Sequence, residues 1–520
     1  MSADHDNDGP GIELPRILDW RTRFRLWAAR QWPKLAVGLV VALVAGYAVY
    51  RVWPENTCGA SDSGVQEIDG QCVGVTDGTY AFHESLAGVQ RKIAEENARV
   101  SGSGHTVTVA LLDSLTVDKT SAITLEMVRN ELEGAYTAQY RINHTKAVGD
   151  QQPLVKLVLA NWGSHQLQWE PVVGQLEAMV GGPEPLVAVT GLRVSTVQTE
   201  LAAQRLAQRS IPIVSSIATA DQLNYGAIRG FVRASPPNLE YAEALHGYLG
   251  NHPDLESAML VYDLNSDLNP DPEATQGTDL FTKSLRDDMN ARLADLIKYP
   301  PQGYVGLYGQ TAASPNLFSN IVQNVCAVKP EVVAFAGRVV DFSSFLESMF
   351  NRVCPDSPIT IVAAGADFGV LDLRAEEAVL RAKNIRVVYA TETDPQGWIQ
   401  NSPSTPPFFR EFHEQFQQLG FASVNLNDGG AIATHDAILI AAKAARLSAR
   451  AQSDYTMPTH LDVLNQMLNL NSLDEVPGAG GQLSFSYRGE NSGNPSNKPV
   501  PVIEIPSAAI ANTAEVHRTK

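Results

Sequence analysis

The stretch LVAVTGLRVSTVQTELAAQRLA, residues 186–207, runs from an apolar strand through a turn of small residues into a helix. Gly191 opens the turn, and Ser195 and Thr196 stand where the helix begins. The first N–H groups of a helix lack partners within the helix, and its dipole is positive at that end. The turn can therefore present polar groups to a phosphate, to the substrate of a nucleophile or to a small polar ligand.

The motifs of the commonest catalytic turns are absent from this stretch. TGLRVSTVQ contains one glycine, so it matches neither the phosphate loop G-x-x-x-x-G-K-[ST] nor the dinucleotide turn G-x-G-x-x-G. It also lacks the nucleophile elbow G-x-S-x-G, and none of the eleven histidines falls in an H-E-x-x-H pattern. No enzymatic activity and no cofactor are predicted.

Two other clusters offer weaker candidates for chemistry. His435 and Asp436 open a helix, HDAILIAAKAARLSA, and are interpreted as a capping and surface pair rather than as catalytic groups. Asp263 and Asp267 in YDLNSDLNPD resemble part of a calcium turn but lack the twelve-residue pattern and its glutamate. A solvated loop is the favoured interpretation there, and no metal site is predicted.

The elements that position the turn alternate regularly from residue 105 onward. Apolar strands such as HTVTVALLD, PLVKLVLAN and PLVAVTG are separated by amphipathic helices such as LEMVRNELEGAYTAQYRIN. The alternation restarts after GFVRASPPN with SAMLVYD, VVAFAG, ITIVAAG and IRVVYAT. Continuous apolar strands between helices predict parallel sheets covered on both faces. Two such units predict two lobes with a cleft, and ligands bind beyond the carboxyl ends of the strands.

Composition limits the partners of the chain. Its 520 residues carry 18 % charged residues and a net charge of −18, so a nucleic-acid surface is not expected. LAVGLVVALVAGYAVY, residues 35–50, has no charge, and its extension to residue 53 is long enough to span a bilayer. Six basic residues precede it, and the next basic residue after Arg51 is Arg91. This asymmetry predicts a cytoplasmic N-terminus and an extracytoplasmic main domain.

A cleaved signal peptide is the alternative interpretation of the apolar segment. The sequence GYA at residues 46–48 has the small-x-small form of a cleavage site. The preceding tail is long for a cleaved signal, so an uncleaved signal anchor in the cell membrane is favoured. A lipoprotein is disfavoured because Cys58 follows ENT rather than an apolar lipobox.

The four cysteines fit an oxidising compartment. Cys58 and Cys72 bracket a Gly/Asp/Ser-rich loop, and Cys326 and Cys354 bracket a strand–helix unit. Local pairing, Cys58–Cys72 and Cys326–Cys354, is the simplest of the three connectivities. The alternative is four buried thiols; zinc is disfavoured because no C-x-x-C occurs.

Several motifs resemble those of the type I periplasmic binding proteins, which include branched-chain amino-acid-binding proteins and receptor ectodomains. LEGAYTAQYRIN resembles the signature of the family's first helix, and IPIVSSIATADQL resembles its Pro-Val-Ile-Ser-x-x-Ala-Thr stretch. VVAFAGRVVDFSSFLESM, HDAILIAAKAA and GGQLSFSYRGE follow in the family's order. The resemblance covers roughly residues 105–505, and the sequential match of five motifs carries it.

The resemblance also implies ligand contacts. The family's amino-acid binders hold the ligand carboxylate on small hydroxyl residues, whose places are taken here by Ser195, with Thr196 beside it, and by Thr219. Their acidic partner for the ligand amino group corresponds to Asp367. In the alternative interpretation, Ser195 and Thr219 are helix N-caps and Asp367 is a turn former.

Two aromatic residues of the family pattern are missing. Asp267, or its neighbour Leu268, and Arg338 occupy their places. This departure disfavours an aliphatic amino acid and leaves a small polar ligand, with Arg338 alternatively a surface charge. The predicted ligand-binding set is Ser195, Thr196, Thr219, Asp267, Arg338 and Asp367.

These observations predict an α/β protein with two Rossmann-like lobes, a hinge and an interlobe cleft, preceded by one transmembrane helix. It would bind a small solute by lobe closure and serve a transporter permease or a sensor partner. The alternative is an interaction ectodomain that kept the fold and lost the ligand. The predicted segments are a cytosolic tail 1–34, an anchor 35–53, a disulfide loop and linker helix 54–104, lobe 1 in 105–232 plus 396–480, lobe 2 in 233–395 plus 481–510, and a tail 511–520. The linker helix is expected to hold the lobes away from the membrane.

Overall fold

The computed structural model describes residues 58–59, 64–149, 151–267, 279–308, 317–451, 457–486, 492–507 and 516–520. The predicted anchor, 35–53, and the tail before it lie outside these residues. Within the described part, no helix is both long and apolar enough to cross a membrane.

Seventeen strands are defined in the described residues. They are β1 Val65–Ile68, β2 Gln71–Thr76, β3 Thr106–Asp113, β4 Leu154–Asn161, β5 Leu186–Gly191, β6 Ile213–Ser215, β7 Phe231–Arg233, β8 Ala258–Asp263, β9 Gln302–Tyr304, β10 Val332–Ala336, β11 Ile359–Ala364, β12 Ile385–Ala390, β13 Val476–Gly478, β14 Gly481–Leu483, β15 Pro499–Val500, β16 Val502–Ile505 and β17 His517–Arg518.

The α-helices of the described residues alternate with most of these strands. They are α1 Ala87–Val100, α2 Leu125–His144, α3 Trp169–Ala178, α4 Val197–Gln208, α5 Asn238–Gly250, α6 Leu280–Arg292, α7 Ser319–Val328, α8 Val339–Phe350, α9 Glu377–Ala382, α10 Pro395–Ile399, α11 Phe409–Gln418, α12 Gly430–Ala451 and α13 His460–Met467.

The first sheet has seven strands in the order β1-β2-β4-β3-β5-β6-β7. The strands from β4 to β7 are parallel, whereas β1 and β2 form an antiparallel hairpin that pairs with β4 through β2. Every residue of β3 and β5 is buried. Helices therefore cover both faces of this sheet, and an apolar core lies on each face.

The second sheet has six strands in the order β16-β12-β11-β10-β8-β9. All neighbours are parallel except β16, which pairs antiparallel with β12. Apolar cores lie on both faces of this sheet as well. The prediction of two α/β lobes built on parallel sheets is confirmed.

The chain passes between the two sheets in segments 234–237, 391–394 and 496–501. Lys498, in the third segment, has its Nζ 2.7 Å from Glu392 Oε1 in the second segment. Lys498 Nζ also donates to the Ala234 carbonyl oxygen in the first segment, at 2.7 Å. One buried ion pair thus ties together three segments that connect the lobes.

Helices α2 and α12 approach each other closely at Gly134, the glycine of LEGAY. A Cβ atom on Gly134 of α2 would lie 2.0 Å from the carbonyl oxygen of Ala431 at the start of α12. Any side chain at residue 134 would therefore separate α2 from α12, which pack along each other in the core of the first lobe.

The segment before residue 105 differs from its prediction. The expected disulfide loop contains β1 and β2, which extend the first sheet. The expected linker helix, α1, buries Val89 and Ile93 in the core of that sheet's lobe. Its apolar stripe packs against α2 and β4 rather than standing free, so α1 is part of the lobe.

The C-terminal region also differs from the predicted boundaries. The hairpin of β13 and β14 buries Leu483 and Phe485 in the core of the first lobe, beyond the expected limit at residue 480. The expected tail contains β17, which pairs antiparallel with β15. His517 of β17 lies 2.6 Å from a carboxylate oxygen of Glu240 in α5.

Both predicted disulfides are present. Cys58 is joined to Cys72, which lies in β2, and Cys326 of α7 is joined to Cys354 in the turn after α8. The bonds close loops with sequence separations of 14 and 28 residues. No cysteine of the described residues is free.

Candidate ligand-binding cleft

The turn after β5 is held at the carboxyl edge of the first sheet. Gly191 has φ +96°, and a Cβ atom there would lie 2.6 Å from the carbonyl oxygen of Leu112. The Leu192 N–H donates to that same oxygen at 2.8 Å. A glycine is needed at residue 191 because the backbone turns sharply against β3.

Thr196, rather than Ser195, is the N-cap of α4. Its Oγ1 accepts a hydrogen bond from the Thr199 N–H at 3.2 Å, and its hydroxyl donates to Gln166 Oε1 at 3.1 Å. Both partners belong to the first lobe. The side chain of Thr196 is therefore used within the lobe, as the N-cap interpretation predicts for such a residue.

Ser195 and Thr219 lie on neighbouring loops of the first lobe. Ser195 Oγ accepts from the Ala220 N–H at 3.3 Å, and this contact joins the loop after β5 to the loop after β6. Ser195 and Thr219 are each 2 % exposed. Both hydroxyl groups lie at the same cavity, where each retains a proton to donate.

Arg338 and Asp367 reach this cavity from the second lobe. Arg338 is the N-cap residue of α8, and Asp367 follows β11 at the start of a 3₁₀ turn. Asp367 is half-buried, and its negative charge acts on the guanidinium groups of Arg193 and Arg338. A carboxylate accepts hydrogen bonds, so Asp367 is the acceptor that this wall of the cavity offers.

The guanidinium of Arg338 is already paired. Its Nε lies 2.6 Å from Asp279 Oδ2 and its Nη2 lies 2.9 Å from Asp279 Oδ1, a two-pronged contact at the first turn of α6. The group also stacks over the rings of Phe281 and Tyr308, at 5.2 and 4.9 Å. Burial lowers the pKa of Arg338, but the charge and hydrogen bonds of Asp279, together with the charges of Tyr308 and Asp367, outweigh burial and raise that pKa.

Four of the six predicted residues therefore line one interlobe cavity: Ser195, Thr219, Arg338 and Asp367. The space open to the centres of water-sized molecules is about 30 Å³. This volume corresponds to about two water molecules. The cavity can take the polar head of a ligand, whereas a whole amino acid requires the lobes to move apart.

Asp267 does not join this group. It ends the 3₁₀ turn Leu264–Asp267 after β8, and its carboxylate forms an ion pair with Arg286 of α6. In this turn, Asn265 and Ser266 are buried, whereas the side chain of Asp267 is exposed to solvent. The prediction that Asp267 belongs to the ligand-binding set is therefore corrected.

Direct contacts between the lobes close the cleft. Thr196 and Asp279 form an isolated antiparallel bridge, and the Phe281 N–H donates to the Ser195 carbonyl oxygen at 3.3 Å. The Tyr308 hydroxyl donates to Gln166 Oε1 at 3.3 Å. The N-terminus of α6 thus docks on the loop that carries Ser195.

Arg193 is a cavity residue that the sequence analysis did not identify. It is 4 % exposed, and its Nη1 and Nη2 atoms form no hydrogen bond with any described residue. Burial lowers the pKa of Arg193, but the carboxylates of Asp428, Glu131 and Asp367 outweigh it and raise that pKa. The sequence feature that indicates a role for Arg193 is its position in TGLRVST, between a buried strand and the start of a helix.

The other two candidate clusters are structural in this fold. His435 is fully buried, with Nδ1 2.8 Å from Asp436 Oδ1 and Nε2 2.8 Å from Arg141 Nη1, so the predicted surface position is wrong. Burial lowers the pKa of His435 to about 4. Asp436 accepts from the Ala479 and Gly480 N–H groups and so fixes the turn of the β13–β14 hairpin.

The favoured interpretation of Asp263, a solvated loop, is wrong for this residue. Asp263 is buried, and its Oδ1 accepts from the Asn265 and Gly306 N–H groups at 2.9 Å each. Burial raises the pKa of Asp263 to about 6. Across the described ranges, no group of three His, Cys, Asp or Glu side chains is arranged to hold a metal ion.

Comparison with solved structures decides the fold. The leucine-binding protein LivK from Thermotoga maritima matches with a TM-score of 0.52 at 13 % identity, over 80 % of this chain and 98 % of LivK. The chain has the fold of the type I periplasmic binding proteins. The branched-chain amino acid transporter substrate-binding protein LivJ from Streptococcus pneumoniae, in complex with isoleucine, matches at 0.52 and 13 % identity, over 79 % and 99 % of the two chains.

A third match has this type I fold with a different ligand. The solute-binding protein of an ABC transporter from Rhodopseudomonas palustris, in complex with p-hydroxybenzoic acid, has a TM-score of 0.53 at 13 % identity. The match covers 80 % of this chain and 96 % of that protein. No protein-family sequence model matches the chain, and no curated protein matches it by sequence.

Proposed function

We propose that this protein is a solute-binding module that takes a small polar ligand, such as an amino acid or a derivative, between its two lobes. Binding proceeds by lobe closure and involves no chemical step. The observation that carries the proposal is the interlobe cavity lined by Ser195, Thr219 and Asp367. Hydroxyl donors on one wall and the half-buried carboxylate of Asp367 on the other match a ligand with an acidic and a basic group.

The neighbours of the same fold support this ligand class. The structures of LivJ and of the Rhodopseudomonas palustris protein contain isoleucine and p-hydroxybenzoic acid. The absence of the family's two aromatic residues removes part of an aliphatic pocket. Arg338, in one of those places, is paired with Asp279 and narrows the cavity, which favours a small or polar ligand.

We propose that the module works outside the cytoplasm and is anchored by residues 35–53. The two disulfides support an oxidising compartment. The uncharged run in residues 35–50 and the basic residues before it support a single-pass anchor with its N-terminus in the cytoplasm. In that arrangement, the lobes deliver ligand to a transporter permease or report its presence to a sensor protein.

The closed cleft favours a second candidate function, an interaction ectodomain without a ligand. Asp279 contacts both Thr196 and Arg338, so the chain itself occupies part of the space between the lobes. A module that binds no solute has no need to break these contacts. The two candidates differ in a single measurable property, which is stabilisation by a small molecule.

A thermal-shift screen of pooled metabolites against the purified full-length chain tests the proposal. A ligand that binds only the folded state raises the free energy of unfolding, by about 2.7 kcal/mol when its concentration is one hundred times its dissociation constant. The melting temperature rises as a result. The solute-binding proposal predicts such a pool. The interaction ectodomain predicts that every pool leaves the melting temperature unchanged.

Site variants then connect the binding to the cleft. Ser195→Ala is expected to weaken the ligand by about 0.5–1.5 kcal/mol, and Asp367→Ala by about 1.5–3 kcal/mol if it pairs with a charged amine. Ser448→Ala is the matched control, because its buried hydroxyl bonds to the Ala444 carbonyl oxygen within α12, away from the cavity. Equal affinities of all three variants and the wild type would place the ligand elsewhere.

A further inference from the structure

Two acidic side chains face each other across the contact between the lobes. Asp221 lies in the loop after β6, in the first lobe. Asp288 lies in α6, which contributes Leu285 and Met289 to the core of the second lobe. Ser284, one turn before Asp288 on α6, contacts both carboxyl groups. The pair therefore lies where the lobes would separate.

The hydrogen bonds around Ser284 require one more proton than its hydroxyl group supplies. The Ser284 Oγ accepts from the Asp221 N–H at 3.2 Å. The same Oγ is hydrogen-bonded to a carboxylate oxygen of Asp221 and lies 3.4 Å from Asp288 Oδ2. A hydroxyl group donates one proton, so it can serve one carboxylate only. The other contact is a hydrogen bond only if a carboxyl group carries a proton of its own.

Asp221 is placed to hold the negative charge of the pair, and Asp288 is placed to hold the proton. Asp221 Oδ1 accepts from the Leu239 N–H at 3.3 Å, in the first turn of α5, where the helix dipole favours a negative charge. The positive charge of Arg233 also acts on Asp221. Burial, the hydrogen bond to Asp221 and the charge of Asp221 raise the pKa of Asp288 to about 9. At neutral pH, Asp288 is therefore the hydrogen-bond donor of the pair.

The cations of α6 and β7 are engaged elsewhere. On α6, the ion pairs are those of Lys283 and Arg286 with Asp287 and of Arg292 with Glu243 of α5. Arg233 of β7 donates to three backbone carbonyl oxygens of the loop after β6. These cations are therefore not placed between the carboxyl groups of Asp221 and Asp288.

The surrounding elements mostly add negative charge. Asp287 directly precedes Asp288, and its charge raises the pKa of Asp288 further. Helix α5, which packs along α6, carries Glu240 and Glu243. The loop after β6 carries the exposed Arg229. Loss of the proton from Asp288 would therefore place two like charges against each other at the contact between the lobes.

We propose that Asp221 and Asp288 form a proton-operated latch between the lobes, which is closed while the pair shares one proton and is released when that proton is lost. Water supplies the proton on closing and takes it back on opening. The inference goes beyond the proposed function, because it concerns what controls the closure of the lobes rather than what they bind.

The direction of the pH effect follows from the two environments of Asp288. With the lobes apart, its carboxyl group faces water and has the ordinary pKa of an aspartate, about 3.9. With the lobes closed, the pKa of Asp288 is about 9. Closing therefore takes up one proton between these values, and the ratio of closed to open molecules falls by up to about tenfold for each pH unit in that range. A rise in pH favours opening.

A distance between the lobes, measured as a function of pH, tests the latch. The probes are spin labels on cysteines introduced by Gln204→Cys in α4 and Ser343→Cys in α8, both at exposed positions. These helices begin on opposite walls of the cleft, and the four native cysteines are held in disulfides. Pulsed electron resonance on the purified full-length chain is expected to show a short distance at pH 7 and a growing population with a longer distance up to pH 10. The closed-to-open ratio is expected to fall by about 10- to 100-fold over that range.

Two substitutions make the latch independent of pH. Asp288→Asn places an amide N–H group toward Asp221 in place of the titratable proton, and it is expected to keep the short distance up to pH 10. Asp221→Asn removes the other negative charge and is expected to have the same effect. The second variant keeps the test decisive if the first does not fold.

Asp287→Asn is the matched control. It removes one negative charge from the residue next to Asp288, but the side chain of Asp287 is 48 % exposed and pairs with Lys283 and Arg286. Because solvent and salt screen exposed charges, this variant is expected to open within about one pH unit of the wild type.

The outcomes separate the latch from the proposed function, since these measurements use no solute. A single distance at every pH from 7 to 10, or opening of Asp288→Asn at the same pH as the wild type, would overturn the latch. Equal effects of Asp287→Asn and Asp288→Asn would overturn it too. A melting temperature that falls with rising pH while the distance stays constant would make the acid pair structural only, and would also overturn the latch. In each of these cases, the thermal-shift screen still decides whether the protein binds a solute.

Discussion

The ion pair between Lys498 and Glu392 offers a quantitative test of how the lobes are connected. Both side chains are fully buried, and their charged atoms lie 2.7 Å apart. Lys498 also donates to Ala234, and the Ser235 hydroxyl donates to Glu392, so contacts from three interlobe segments converge on one point. Removing either charge leaves the other without its partner inside the protein.

The expected magnitude follows from that burial. Lys498→Met leaves the Glu392 carboxylate buried and unpaired, which is expected to lower the free energy of unfolding by about 3–5 kcal/mol. Glu392→Leu leaves the ammonium group of Lys498 buried and unpaired, and it is expected to lower the free energy of unfolding by a similar amount. The double variant buries two apolar side chains and leaves neither charge unpaired. The loss of unfolding free energy in the double variant is therefore expected to be smaller than the sum of the two single losses, by about 3 kcal/mol or more.

Urea unfolding followed by far-UV circular dichroism measures the four proteins of this cycle. Lys156→Met is the control, since Lys156 and Glu184 form a pair of similar length, 3.0 Å, with both side chains 21 % exposed. Because this pair keeps contact with solvent, it is expected to contribute only about 1 kcal/mol or less. A cost below 1 kcal/mol for Lys498→Met, or strict additivity in the double variant, would refute the view that this pair joins the three segments.

Three further predictions concern titration, disulfides and topology. Burial raises the pKa of Asp341 to about 7 from 3.8, so its ionisation destabilises the folded state as pH rises from about 4 to 7. Asp341→Asn is expected to gain up to about 4 kcal/mol relative to wild type between pH 4 and pH 7.5 in urea titrations at each pH; a constant difference would contradict this. Replacing Cys326 and Cys354 by serine is expected to cost about 3.6 kcal/mol for a separation of 28 residues, again by urea unfolding, and a loss below 1 kcal/mol would contradict the chain-entropy argument. Protease added to intact cells is expected to remove the domain that follows residues 35–53, and full protection of it would refute the proposed topology.

Much of the fold follows from local sequence patterns. Apolar strands such as β3 and β5 are buried on both sides, so their composition alone predicts parallel sheets covered by helices. The cleft walls follow from the same patterns, because Ser195 and Asp367 each come directly after such a strand. The short strands β1 and β2 carry no such signal, since only four of their ten residues are buried, while four are partly buried and two are exposed.

The missed parts of the site depend on contacts between distant residues. Asp279 lies 59 residues before Arg338, and nothing local to either residue predicts their pairing. Asp267 leaves the cleft because Arg286, on the next helix, pairs with it. Buried Arg193 lies near four carboxylates, those of Asp113, Glu131, Asp367 and Asp428, which are far apart in the sequence and come together only in the folded protein.

The space between Ser195, Thr219 and Asp367 is proposed to receive a small ligand. The decisive experiment is a crystal structure of the full-length chain, grown with the metabolite that stabilises it most. We expect density for one ligand in contact with all three side chains, with the bridge between Thr196 and Asp279 rearranged around it. A ligand bound at another place, with the contacts of Asp279 unchanged, would overturn the proposed site.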